Sequence, residues 1–281
     1  MNLPAILFSV LGWVTIVLFT GGLIYRIYIY AKTPMPLKIP VNTPPTMPGV
    51  VGSMAIEVTL FRKLFKTNLL LWFGSWVFHV ALLLVVLRHL RFFFYPVPGL
   101  VMFFYTIRIY AGYAMLIALV FLLARRLVSE RNAYVSLPID YYMLFLLIGI
   151  AASGLWMNYH ERIYLVDVKA FILGLFSFSL NAPDMEPVLV VHLLLVFTLF
   201  AYFPFSKLLH APGVFFSPTM IQRNDIEKWR KVNPWDYDVP GEPFYTWENF
   251  DEKRVDKHPD GIVYPPGWER KVEYHKYKKG E

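Results

Sequence analysis

The stretch NLLLWFGSWVFHVALLLVVLRHLRFFF, residues 68–94, decides the fold. It is apolar over more than the roughly 20 residues that a helix needs to cross about 30 Å of hydrocarbon. Yet it carries two histidines, His79 and His89, ten positions apart. Ionisable side chains are costly in lipid, so an intramembrane histidine is by default a functional residue. The stretch reads as a transmembrane helix that holds imidazoles for a purpose.

Four further segments have the same apolar length: about 3–30, 101–126, 139–159 and 187–209. The first has no basic leader region and no small-residue cleavage site, so it reads as a retained helix and not a signal peptide. A sixth apolar piece, 163–180, holds Asp167 and Lys169 near its start and reads as interfacial or re-entrant. Composition agrees with this count. The 281-residue chain is 57% hydrophobic and only 17% charged, against about 25% charged in soluble domains. The expectation is an all-α integral membrane protein, a five-span transmembrane helix bundle with an irregular C-terminal tail, in the cell membrane.

The net charge of +7 gathers around the spans: residues 1–210 hold 15 Lys/Arg against 7 Asp/Glu, and 211–281 hold 12 against 13. Membrane topology explains such an excess, and no nucleic-acid partner is implied. Loop 31–67 and the turn after the third span carry Lys32, Lys38, Arg62, Lys63, Lys66, Arg125, Arg126 and Arg131. By the positive-inside rule these face the cytoplasm, which sets the N-terminus outside and the C-terminus inside. With zero cysteines, the chain makes no disulfide, holds no cysteine-ligated iron–sulfur cluster and attaches no c-type haem.

Six prolines between Pro34 and Pro48 make residues 33–48 an extended cytoplasmic strap. The chain divides into a membrane domain, 1–210, and a tail, 211–281. The tail is rich in Pro, Trp and Tyr (NPWDYDVPGEPFYTWENF, YPPGWER), with helix expected only at 219–231. It suits an arm laid over a partner, since Trp and Tyr give contact area at such surfaces; a flexible tail is the alternative. No internal repeat is visible.

Of seven histidines, His258 and His275 lie in the tail, whereas His79 and His89 share the second span and His192 and His210 bracket the fifth. Ten residues of helix rise about 15 Å and eighteen about 27 Å. The two spans run in opposite directions, so His79 and His210 lie towards the cytoplasm, and His89 and His192 towards the outside. Each cross-helix pair can supply two neutral imidazoles as axial ligands to one haem iron. The unequal rises call for tilt, or for a kink at Pro204 in the fifth span. Any one of these histidines alone could be an interhelical hydrogen-bonding residue.

Gly74, Ser75, Ala111, Gly112, Gly149 and Gly154 could leave room for macrocycles, or serve ordinary helix packing. Haem propionates need cations, for which Arg88, Arg91 and Arg108 are placed outside and Arg125 and Arg126 inside; topology anchors would look the same. His160, Glu161 and Asp167 lie on the outer side as proton relays or as solvated loop residues.

The histidine spacing and the five-span, N-outside plan resemble the gamma-subunit cytochromes of respiratory nitrate reductases. GVFFSPT at 213–219, following His210 and Pro212, and VNPWD at 232–236 resemble a particular branch, DsrM/HmeC. These are the cytochrome b subunits of sulfite-reduction-associated, heterodisulfide-reductase-like menaquinol oxidoreductase complexes. The resemblance implies two haem b groups, with His79 and His210 ligating the cytoplasmic-side haem and His89 and His192 the outer one. It implies menaquinol as substrate, a cytoplasmic iron–sulfur partner subunit related to heterodisulfide reductase, and further membrane and electron-transfer subunits in a respiratory complex linked to sulfate or sulfite reduction. In the nitrate reductase relatives a basic residue after the second span helps bind quinol, and the corresponding region here offers Arg108.

The expected function is quinol oxidation near the outer haem, with electrons passing inward. Quinone reduction in the reverse direction is the alternative within the same chemistry. A haem-free transporter would carry internal repeats and broken helices in two matching halves, and a haem-free anchor would leave the paired histidines without a role.

Overall fold

A backbone in lipid finds no water to bond, so an apolar segment satisfies its own N–H and C=O groups as a helix. The computed structural model describes residues 3–33, 41–104, 108–160, 163–180 and 186–224. It places membrane-capable helices at Ile6–Lys32, Leu69–Phe92, Ile109–Val128, Pro138–Tyr159 and Pro187–Phe205. The helical elements are α1 (Leu3–Lys32), α2 (Met47–Leu60), α3 (Arg62–Thr67), α4 (Leu69–His89), α5 (Gly99–Phe103) and α6 (Arg108–Val128). They continue with α7 (Glu130–Val135), α8 (Pro138–His160), α9 (Leu165–Phe176), α10 (Pro187–Tyr202), α11 (His210–Gly213) and α12 (Pro218–Ile221). No strand occurs among the described residues.

The long helices pack in a curved row: α4 on α6, α6 on α8, α8 on α10 and α10 on α1. Two apolar cores result. Ala81, Met115, Leu119, Leu147 and Ala151 join α4, α6 and α8. Val168, Phe171, Leu175, Leu189, Leu193 and Phe197 join α9 to α10, with Phe8, Trp13 and Ile16 of α1 against them. The outward faces stay apolar and exposed, among them Val17, Ile24, Leu70, Phe73, Leu83, Ile117 and Val191; lipid is the solvent that suits them.

Several boundaries differ from the sequence expectations. The fifth span does not reach 209 as one helix. α10 stops at Tyr202, and the chain continues through two 3₁₀ turns, Phe203–Phe205 and Lys207–Leu209, with Ser206 extended between them. Pro204 is the cause, for it lacks an N–H and its ring crowds the preceding turn. It therefore ends the helix where a kink was expected. The third span does not begin at 101. Residues 99–103 form a separate short helix after Pro98, and α6 opens on Arg108, a charge that favours the membrane edge.

Loop 31–67 contains structure that the sequence reading missed. Thr46 caps α2 by accepting from the Gly49 N–H, with Pro48 in its first turn, and α3 follows after Phe61. The indoles of Trp72 and Trp76 on α4 donate to the Leu60 and Thr59 carbonyls, 2.8 and 3.0 Å away, filling acceptors that the end of α2 would otherwise leave open.

The start of the tail folds back on its own chain. Thr43 Oγ1 donates to the Gln222 carbonyl at 2.5 Å, and the Asn224 N–H donates to the Pro44 carbonyl at 3.3 Å. The helix expected at 219–231 is the single turn α12, ended at Gln222, and the remainder of that expectation, with VNPWD, His258 and His275, lies outside the described residues. The piece at 163–180 is α9, whose 12 residues rise about 18 Å, too short to span. Its Phe171 is fully buried.

Candidate functional site

The four membrane histidines share one local arrangement. On α4, the Nδ1 of His79 meets the Ser75 carbonyl and that of His89 meets the Val85 carbonyl, each at 2.7 Å and four residues back. The Nδ1 of His210 meets the Lys207 carbonyl at 2.9 Å. A carbonyl only accepts, so each of these nitrogens carries the proton. His192 reaches the Ser153 hydroxyl at 2.9 Å. That hydroxyl has one proton, which its 2.7 Å contact gives to the Gly149 carbonyl, so it accepts from the His192 Nδ1–H. All four rings are thereby set to one tautomer, with Nε2 unprotonated and its lone pair available. An imidazole that ligates a metal through one nitrogen usually donates from the other to such a partner.

Of the two expected pairs, the structure brings His79 and His210 into direct proximity. The His79 and His210 rings lie 6.0 Å apart, centroid to centroid, with planes at 78°. Two imidazoles on opposite sides of one metal ion, with bonds of about 2 Å, put their ring centres about 6 Å apart. His89 lies within electrostatic range of His192. The backbones of α4 and α10 are linked mainly through α6 and α8 rather than packed flat on each other. No three His, Asp or Glu side chains converge as a metal site among the described residues. A macrocycle that brings its own four nitrogens needs only the two axial ligands, and the residues present fit haem b.

The two pairs are held differently. His79 and His192 stand within regular helix and His89 closes α4, whereas His210 follows the broken end of α10. Gly22 and Arg26, one turn apart on α1, meet that break. A Cβ on Gly22 would lie 2.7 Å from the Pro204 Cβ, and Arg26 Nε donates to the Pro204 carbonyl at 3.3 Å. Beside His210 a cavity of about 550 Å³ is lined by Arg26, Tyr30, Ser206 and Lys207, among others. Arg26 and Lys207 are cations that the sequence reading did not connect with the histidines; only the fold brings the first and last spans together.

Phe61 was missed as well. It holds the left-handed conformation (φ 50°) between α2 and α3, and its ring stands edge-on to His79, centroids 5.0 Å apart.

Among the expected propionate cations, Arg126 is engaged with Asp140 at 3.2 Å and with the Ser136 hydroxyl at 2.9 Å. Arg125 is half-buried near the end of α6. Arg91 lies with its guanidinium 5.9 Å from the Phe92 ring, and Arg88 adjoins His89 at the end of α4. Arg108 opens α6, but its side chain lies outside the described residues, as do the His160 side chain and Glu161. Asp167 is exposed on the first turn of α9.

The small residues mostly serve helix packing. A Cβ on Gly74 would lie 2.5 Å from the Phe121 ring, one on Gly112 2.9 Å from Leu155, and one on Gly149 3.2 Å from Leu195. Gly154 alone of these faces a histidine, with His192 Cε1 3.3 Å from where its Cβ would be.

Residues 62–225 match the nitrate reductase gamma subunit family. The chain is 36% identical to an Hdr-like menaquinol oxidoreductase cytochrome b-like subunit of Archaeoglobus fulgidus, over 82% of this chain and 84% of that one. It is 31% identical to the subunit of the same name from Archaeoglobus profundus, over 82% of each. The matched region contains all four paired histidines and four of the five long helices. With five membrane-capable helices and these similarities over most of its length, the chain is a multi-pass membrane protein of the nitrate reductase gamma-subunit family.

Proposed function

We propose that this protein is the di-haem b membrane subunit of a menaquinol oxidoreductase complex. The observation that carries the reading is the common state of His79, His210, His89 and His192: paired across the bundle, each with Nδ1 donating and Nε2 left to ligate. Oxidation of one menaquinol releases two protons and two electrons, and haem b at each pair supplies one-electron transfer between a quinol site on one side and an acceptor on the other. The similarity to the Archaeoglobus subunits supports menaquinol as the substrate.

The sidedness follows the loop charges, with His89 and His192 outside and His79 and His210 towards the cytoplasm. Arg108, at the membrane edge of α6, binds a quinol oxygen and stabilises the negative charge that develops as the proton leaves. Arg88 and Arg91 at the outer end, and Arg26 and Arg125 at the inner end, supply cations for propionates. Since the chain has no cysteine, the electron acceptor is a cluster on another chain, a cytoplasmic iron–sulfur subunit related to heterodisulfide reductase. The respiratory context is sulfate or sulfite reduction.

Haem extraction and a reduced-minus-oxidised spectrum of the purified protein test the proposal. Two b-type haems per chain are expected, with His192→Ala and His79→Ala each removing one. A haem-free protein, or an unchanged haem content in both variants, would overturn it.

A further inference from the structure

The end of the bundle near His210 contains a buried carboxylate, flanked by two cations, that the quinol reaction does not use. Asp140, in the first turn of α8, is only 9% exposed, and both its oxygens are occupied. Oδ1 takes Lys207 Nζ at 2.6 Å; Oδ2 takes Arg126 at 3.2 Å and the Leu137 N–H at 3.1 Å. A carboxylate at a helix N-terminus is favoured by the helix dipole, and Arg126 with the Leu137 N–H already satisfies one oxygen. Lys207 is the partner of the other oxygen.

Lys207 belongs to the 3₁₀ segment that replaces the end of the fifth helix. There the regular helical ladder no longer fixes the backbone. Lys207 has two contacts of different kinds: its ammonium is tied to Asp140, and its carbonyl accepts from His210 Nδ1 at 2.9 Å. The route from α8 to the histidine thus runs through one residue, carboxylate to ammonium, main chain to imidazole.

We propose that Asp140 is a positioning residue for His210, acting through Lys207 to fix the ring that ligates the haem shared with His79. The inference rests on the reading that His79 and His210 hold haem b. An outer-shell partner of a ligating histidine typically contributes 10–100-fold to metal affinity. A partner one step further out should lie near the low end of that range.

The test compares Asp140→Asn, Lys207→Met and Lys207→Arg in the full-length protein, with His79→Ala and His192→Ala marking which signal belongs to which haem. The readouts are haem content, the redox titration of each haem, and the low-spin electron paramagnetic resonance signal, which reports the angle between axial imidazoles. Asp140→Asn and Lys207→Met should each shift the signal and potential of the His79/His210 haem and weaken its retention about tenfold. The His89/His192 haem should be untouched, and Lys207→Arg should stay near wild type.

Lys207 is exposed, so its variants remain informative if Asp140→Asn fails to fold. Wild-type signals for both haems in Lys207→Met, or equal disturbance of the two haems, would overturn the positioning role while leaving the haem reading intact. A wild-type protein without a haem lost on His79→Ala would overturn both.

Discussion

The two ends of the bundle hold the same ligand chemistry by different means. At the His89/His192 end one ring stands within α10 and the other on the last residue of α4, and their Nδ1 atoms meet groups that helix geometry provides: the carbonyl four residues back on α4, and Ser153 on the neighbouring α8. At the His79/His210 end one ring has the same support, and the other follows a helix that Pro204 has ended. Here the regular ladder is replaced by long-range contacts from Arg26 and Asp140, on α1 and α8. A broken helix can carry a ligand where a straight one would overshoot. The eighteen residues from His192 to His210 would rise about 27 Å as straight helix, against about 15 Å between His79 and His89. The cost is that the ligand's orientation depends on contacts made far away in sequence.

That dependence is open to direct attack. The largest effect should come from Gly22→Ala, because the new Cβ would sit 2.7 Å from the Pro204 Cβ and 2.9 Å from its Cγ. A proline ring in a fixed turn cannot swing aside, so α1 must move from the break. Overpacking of this kind costs about 1–3 kcal/mol. Thermal denaturation with absorbance read in the haem band should show a lowered midpoint and early loss of the His79/His210 haem, with the other haem retained. Simultaneous loss of both would show that the two ends are not independent.

The matching probe at the opposite end is Ser153→Ala, which removes the acceptor of His192 Nδ1 and leaves the helices unchanged. Retention of the His89/His192 haem should fall roughly tenfold, with the other haem unaffected. Since the His192 backbone sits on regular helix, the loss should be partial, and Ser153→Thr should restore it.

The same contrast explains what the sequence made legible. His79, His89 and His192 could be placed because a helix converts residue spacing into depth and face, and a histidine in an apolar run stands out on composition alone. His210 can be paired by counting, but the conformation that delivers it cannot be read: Pro204 predicts a kink, whereas it ends the helix in 3₁₀ turns that Gly22 and Arg26 of the first span then meet. Asp140 and Lys207 are 67 positions apart, with no local pattern to connect them. Phe61 in the left-handed region is legible only from the backbone. The glycines are legible only as two alternatives, and Gly74, Gly112 and Gly149 admit Phe121, Leu155 and Leu195, which is the packing alternative.

The smallest expected effect tests whether the polar groups of the first helix belong to this scheme at all. The Ser9 side chain is completely buried, and its Oγ has no hydrogen-bond partner among the described residues. Thr20 on the same helix bonds the carbonyl four residues back, the usual refuge of a hydroxyl in lipid. An unpaired buried hydroxyl costs about 1–3 kcal/mol, so Ser9→Ala in the purified protein should raise the thermal midpoint slightly and leave both haem spectra unchanged. A lowered midpoint together with an altered haem spectrum would mean that the hydroxyl has a partner in the loaded protein, and would add α1 to the elements that support the site.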